Sequence, residues 1–198
     1  MKKYLFLAFC LAIVSCKNSM EPNSTDAIMP LAVGNEWDYA GFFWINHTDQ
    51  HQFYDTTKIV SSMGADFATP DGTYYENRSD GLWIVKDSAS PAYTGLIAKY
   101  PAKSGDFIRR DTTGGNDTLI RDHIVDSVNS VVTVPSGTYT CFKYSTNYYD
   151  LKHILQSQDN EYYAVNVGEI KEELFILDSV SHQLKLFLSR QLTKVILH

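Results

Sequence analysis

Val134-Pro135-Ser136-Gly137-Thr138-Tyr139-Thr140-Cys141-Phe142-Lys143-Tyr144-Ser145-Thr146 decides the fold. Pro135-Ser136-Gly137 is turn chemistry: proline presets φ and glycine opens the left-handed region. The residues after this turn alternate. Thr140, Phe142, Tyr144, Thr146 and Tyr148 fall on one side of an extended chain, because successive strand side chains point to opposite faces. β-Branched and aromatic residues at that period make a strand.

The same pattern recurs outward from this segment. Turn signals stand at Asp71-Gly72, Asp80-Gly81, Gly114-Gly115-Asn116-Asp117 and Asp178-Ser179. Between them apolar residues alternate. Leu184, Leu186, Leu188, Leu192 and Ile196 keep period two, and Ile120, Ile124 and Val128 share a face of Leu119–Val128. Trp37 to Ile45 is apolar on both faces, which predicts a central strand covered on both sides. Only Leu151-Lys152-His153-Ile154-Leu155 offers a helical spacing, of one or two turns. The expected fold is all-β: an antiparallel meander curved or half-closed into a barrel, with little helix.

The chain starts differently. Met1-Lys2-Lys3 is basic, Tyr4 to Val14 is apolar, and Ile13-Val14-Ser15-Cys16 closes the run. That order is a secretory signal peptide. The apolar run is shorter than the roughly 20 residues of a membrane span. Cys16 directly after the cut makes the segment resemble a bacterial lipobox, in which that cysteine is acylated. Each buried methylene contributes about 0.8 kcal/mol to such an anchor. Residues 1–15 are expected as signal, 16–29 as a lipidated tether, and 30–198 as one β domain. Lys17 stands where an Asp would resemble an inner-membrane retention signal, so the expected address is the outer membrane, facing the periplasm or the surface.

The 198 residues carry a net charge of −6 and no basic cluster beyond Arg109-Arg110, so no nucleic-acid partner is expected. Of the three cysteines, Cys10 leaves with the signal and Cys16 is lipidated. Cys141 has no partner and sits among strand residues, which reads as a small buried hydrophobe.

Three motifs carry a resemblance. Pro30-Leu31 through Gly34-Asn35-Glu36-Trp37-Asp38-Tyr39 resembles a P-L-x-x-G-N-x-W-x-Y opening. Val134-Pro135-Ser136-Gly137-Thr138-Tyr139-Thr140-Cys141 resembles V-P-A-G-T-F-x-C. Tyr162-Tyr163-Ala164 through Val167-Gly168-Glu169-Ile170 resembles Y-Y-A-x-G-V-G-x-V. Together they resemble a group of uncharacterised Gram-negative envelope lipoproteins. The departures are Ser136 for Ala, Tyr139 for Phe and Asn166 for Gly. The resemblance implies a fold similar to the lipoprotein-localisation carriers, a curved sheet with a concave apolar face. It brings no catalytic residues. Trp37 and Tyr39 suit a core, and Gly168 a bulge or close approach.

Several constellations could carry chemistry. His47, Asp49 and His51 share a strand face and are the candidate metal ligands; the plainer reading is a polar hairpin tip. Asp111 to Asp117 is oxygen-rich but lacks calcium-loop spacing. Gly-x-Ser-x-Gly and phosphate loops are absent, and Glu172 and Glu173 point to opposite faces. Asp-[Ser/Thr] before a small or apolar residue or Thr occurs six times. This resembles an O-glycosylation signal of certain Gram-negative anaerobes and names Thr56, Ser88, Thr112, Thr118, Ser127 and Ser179. Turn chemistry gives the same dipeptide.

The functional expectation is a non-enzymatic binding or scaffolding lipoprotein, without a cofactor. It would be held to the membrane by its lipid and would take an apolar or amphipathic ligand or a protein partner. Phe142 and Tyr144 are the candidate groove wall. One alternative is a surface glycan binder, with Trp83 as the stacking ring. The other is a metal-dependent enzyme at His47, Asp49 and His51.

Overall fold

In this computed structural model, which describes residues 26–45, 49–86, 94–113 and 118–198, the alternating segments are strands. In chain order they are β1 (Glu36–Ile45), β2 (Asp49–Lys58), β3 (Ser61–Met63), β4 (Asp66–Ala68), β5 (Tyr74–Arg78), β6 (Gly81–Lys86), β7 (Gly95–Lys99), β8 (Phe107–Thr112), β9 (Ile120–Val134), β10 (Gly137–Tyr149), β11 (Leu155–Ala164), β12 (Gly168–Leu177) and β13 (Leu184–Ile196). There is no helix among the described residues. The Leu151–Leu155 segment is a turn that leads into β11 at Leu155 instead. Asp150 accepts from the backbone N–H of Lys152 and of Ile154, and His153 has φ of +61°.

Two antiparallel sheets form. The larger has the order β2-β1-β13-β12-β11-β10-β9-β8, and the smaller β3-β4-β5-β6-β7. The larger sheet curls far enough that Ser136 N, in the β9–β10 turn, donates to Leu192 O at 3.2 Å. It does not close: β2 and β8 remain its edges. The half-closed barrel is therefore a curved sheet with a second sheet laid against it. β1 is next to an edge rather than central, and only its first half is buried.

The layers meet on a packed core. Trp37, Tyr39, Leu82, Ala98, Val125, Tyr144, Ile170 and Leu192 are all buried. Backbone atoms of β7 are held by side chains of the larger sheet. Tyr144 Oη donates to Lys99 O at 2.7 Å, and His123 Nε2 lies 2.9 Å from Ile97 O. A carbonyl only accepts, so Nε2 carries the proton and Nδ1 accepts from Thr146 Oγ1 at 2.7 Å. Burial, with Arg109 nearby, pushes the His123 pKa down to about 4, so the ring is neutral at pH 7. β9 thus buries His123 and Val125, while Ile120, Ile124 and Val128, the expected inner face, are only half-buried.

The family-like motifs turn out to be packing. Trp37 Nε1 donates to Val167 O at 2.5 Å, and a Cβ on Gly168 would stand 2.9 Å from that same nitrogen. Gly168 also has φ of +106°. Asn166 stands where the resembled group has glycine because its φ is +61°, a region Asn tolerates. Its amide spans the chain: Oδ1 accepts from Ala27 N at 3.1 Å and Nδ2 donates to Asp26 at 2.9 Å.

Candidate functional site

Strand register gathers ionisable groups that lie far apart in sequence. Glu161 on β11 pairs with Glu172 on β12, and Glu172 pairs with Arg190 on β13. Asp159 lies two residues before Glu161 and so shares its face. Arg190 is the centre. Its Nη2 donates to both Glu169 oxygens at 2.7 Å, and its Nη1 to Asp55 on β2 at 2.9 Å. Its Nε is 3.0 Å from Glu172 Oε2 but off line for a hydrogen bond. The guanidinium carbon sits 4.6 Å over the Tyr39 ring.

The electrostatics reflect burial and crowding. Burial works against the Arg190 charge, but Glu169 and Glu172 outweigh it and hold its pKa above the usual range. Glu161 is half-buried; desolvation, then Asp159, pushes its carboxyl well up. Burial, then Glu172, pushes Asp159 up to about 7. Asp159 Oδ1 is a buried oxygen without a hydrogen-bond partner. Tyr39 and Tyr163 border the cluster, and burial holds both phenols neutral. Burial, then Glu169, pushes Glu172 up as well. One guanidinium pairs with Asp55, Glu169 and Glu172 while Asp159 and Glu161 stand on the neighbouring strand, so carboxyl groups outnumber the cation.

A cleft opens at Arg190. Its volume is about 320 Å³, and Asp55, Thr56, Thr57, Thr69, Asp71 and Arg190 line it. The first three and Arg190 come from the larger sheet; Thr69 and Asp71 come from the β4–β5 turn. That turn is held in shape by Asp71, which accepts from Thr69 Oγ1 and Thr73 Oγ1, and the Thr69 bond lowers its pKa.

The residues named from sequence fare unevenly. Phe142 and Tyr144 do not line an open groove. They are 9% and 0% exposed, and the Tyr100 ring meets Phe142 edge-on at 5.5 Å. The smaller sheet, unforeseen in the sequence, fills the concave face they were expected to present. Asp49 and His51 form an exposed pair at 3.1 Å, and His51 stacks on Phe43. His47 lies outside the described residues, as do Ser88 and Cys16. Among the described residues no three His, Cys, Asp or Glu are grouped to hold a metal. Trp83 is not a free platform: Arg78 covers its ring at 4.3 Å and Asp80 accepts from its Nε1. Thr56, Thr112 and Ser179 are exposed, whereas Thr118 and Ser127 are half-buried. Asp178 accepts from Val180 N and Ser181 N, which is the turn chemistry behind one of the six dipeptides. Cys141 is fully buried and burial pushes its thiol up to about 12. Among the described residues no helix is long and apolar enough to cross a membrane.

The carboxylates around Arg190 were missed in the sequence. The one trace in the sequence was Asp159-x-Glu161, two acids on one face of a strand that ends in Tyr162-Tyr163-Ala164.

No protein-family model matches the chain, and no curated protein does. Two solved structures are similar to it. One, from Parabacteroides distasonis, is described as a lipoprotein; it is 12% identical, with a TM-score of 0.48 over 86% of this chain and 98% of that one. The other, from Bacteroides fragilis, is described as an exported protein with a YmcC-like fold. It is 14% identical, with a TM-score of 0.45 over 85% of this chain and 98% of that one.

Proposed function

We propose that this chain is a lipid-anchored envelope protein that works by binding rather than catalysis, and that its ligand enters the cleft at Arg190. The supporting observation is the surplus of carboxyl groups there. Arg190 is already neutralised by Glu169, Asp55 and Glu172, and it cannot also balance the acids behind it. The threonine hydroxyls of the cleft add short-range donors and acceptors. A small polar ligand carrying an amine or guanidine suits that lining. An apolar ligand does not, because the face that would hold it is packed against the smaller sheet.

Calorimetric titration of the mature chain with putrescine, spermidine and agmatine tests this. At least one cation should bind, with affinity falling as salt rises. Asp55→Asn should weaken it, since Asp55 is exposed and its loss leaves the core intact. No heat with any of the three cations would refute the reading, and so would binding that ignores both salt and Asp55→Asn.

A further inference from the structure

We propose that the outer face of the β1–β2 hairpin, where Pro135 abuts it, is a binding site for an uncharged saccharide. Register builds the face. Ala40 pairs with Tyr54, Phe42 with Gln52 and Trp44 with Gln50, so rings and carboxamides occupy one side of the hairpin. β13 extends the pattern, with Gln191 opposite Ala40 and Ser189 opposite Phe42. Ala40 leaves a low floor between Tyr54 and Gln191. Pro135 forms the rim, held there by the Ser136 N to Leu192 O hydrogen bond at 3.2 Å.

The result is a groove of about 270 Å³ with Phe42, Gln52, Tyr54, Pro135, Ser189 and Gln191 in its lining. No residue of that lining is charged, although 20% of the chain is. The cleft at Arg190 has Asp55 and Asp71, and the groove beside β9 has Lys143 and Lys171. The neutrality here is a property of the site. It excludes ionic ligands, which would leave water and gain no partner. The volume is just under the roughly 300–1,000 Å³ of small-molecule sites.

Rings and amides together select the ligand. Tyr54 is 81% exposed, and Phe42 and Trp44, both half-buried, meet edge to face at 6.2 Å. A ring face takes the C–H surface of a sugar, while carboxamides donate to and accept from its hydroxyls. A lipid surface would take the rings but would desolvate Gln50, Gln52 and Gln191 without partners.

The test is an array of neutral and charged oligosaccharides probed with the mature chain. Hits are checked by titration with the free sugar, and phosphatidylcholine–phosphatidylglycerol vesicles are titrated in parallel. The expected result is binding to uncharged sugars that high salt leaves unchanged. Tyr54→Ala and Gln52→Ala should each weaken it about tenfold. Both side chains are exposed, so thermal unfolding should not move. The proposal is overturned if no neutral sugar binds, if only charged sugars bind, if both variants bind like wild type, or if vesicles alone shift the tryptophan emission. None of these outcomes depends on the cleft at Arg190, whose ligand is cationic and whose affinity is salt-dependent.

Discussion

Asp159→Asn should stabilise the protein, and by more as pH rises. The carboxyl titrates at about 7 in the folded chain against an ordinary value of 3.8, with burial as the main cause and Glu172 the second. Below pH 4 both states are protonated and the group has no effect. Between pH 4 and 7 the folded state binds the proton and the unfolded state does not, so stability falls with rising pH. Above pH 7 the full difference applies. Three pKa units at 1.36 kcal/mol each set a ceiling of about 4 kcal/mol. The amide is nearly isosteric and carries no charge to desolvate. Urea unfolding monitored by tryptophan fluorescence, for both proteins from pH 4 to 8, reads the effect. The variant-minus-wild-type difference should be smallest at pH 4 and grow by about 2–4 kcal/mol, that ceiling at most, by pH 8. His123 adds an opposite slope between its two pKa values, but it is present in both proteins and cancels in the difference. A difference constant across pH, or one that shrinks, would refute the buried-carboxylate reasoning.

The core and the anchor give further predictions. Tyr144→Ser should cost about 3–5 kcal/mol in chemical denaturation, the range for emptying an aromatic core site, because Tyr144 has no exposed surface; a cost under about 1 kcal/mol would mean a solvated groove. Tyr144→Phe isolates the hydroxyl and should cost about 1–3 kcal/mol by orphaning the Lys99 carbonyl, measured the same way. Cys141 should resist a thiol reagent until denaturant is added; fast labelling of the native chain would contradict its burial. Cys16→Ala should remove acylation, read as loss of acyl mass and of detergent partitioning; equal partitioning without acyl mass in either protein would remove the anchor.

The strand content was legible because alternation and turn residues are local. The β9–β10 turn, the β10 face of Phe142 and Tyr144, and the buried Trp37 and Tyr39 all come from that local pattern. The second sheet was not legible. β3 and β4 are three residues each, too short for a period to show, and β7, whose carbonyls meet Tyr144 and His123, is only five, so nothing signalled a sheet that would cover that face. The role of Phe142 and Tyr144 was hidden for the same reason: the alternation says which side a ring takes, not what stands opposite. On β9 the pattern of isoleucines pointed the wrong way. His123 is polar by composition, yet it is buried because Ile97 O and Thr146 satisfy both of its nitrogens. The cluster at Arg190 depends on register among β2, β11, β12 and β13, and single strands show only ordinary surface acids. Asn166 shows the converse, a residue whose reason is local φ and whose departure from glycine needed the backbone to explain it.

Backbone amide chemical-shift mapping of the mature chain, titrated in turn with spermidine and with a medium-chain fatty acid, is the most direct test of binding at a polar cleft between two packed sheets. The expected shifts with spermidine gather at Asp55–Thr57, at Thr69–Asp71 and at Arg190, while the fatty acid leaves the spectrum unchanged. Shifts that gather instead around Tyr100, Phe142 and Tyr144 on adding the fatty acid, with none at Arg190 on adding spermidine, would contradict it.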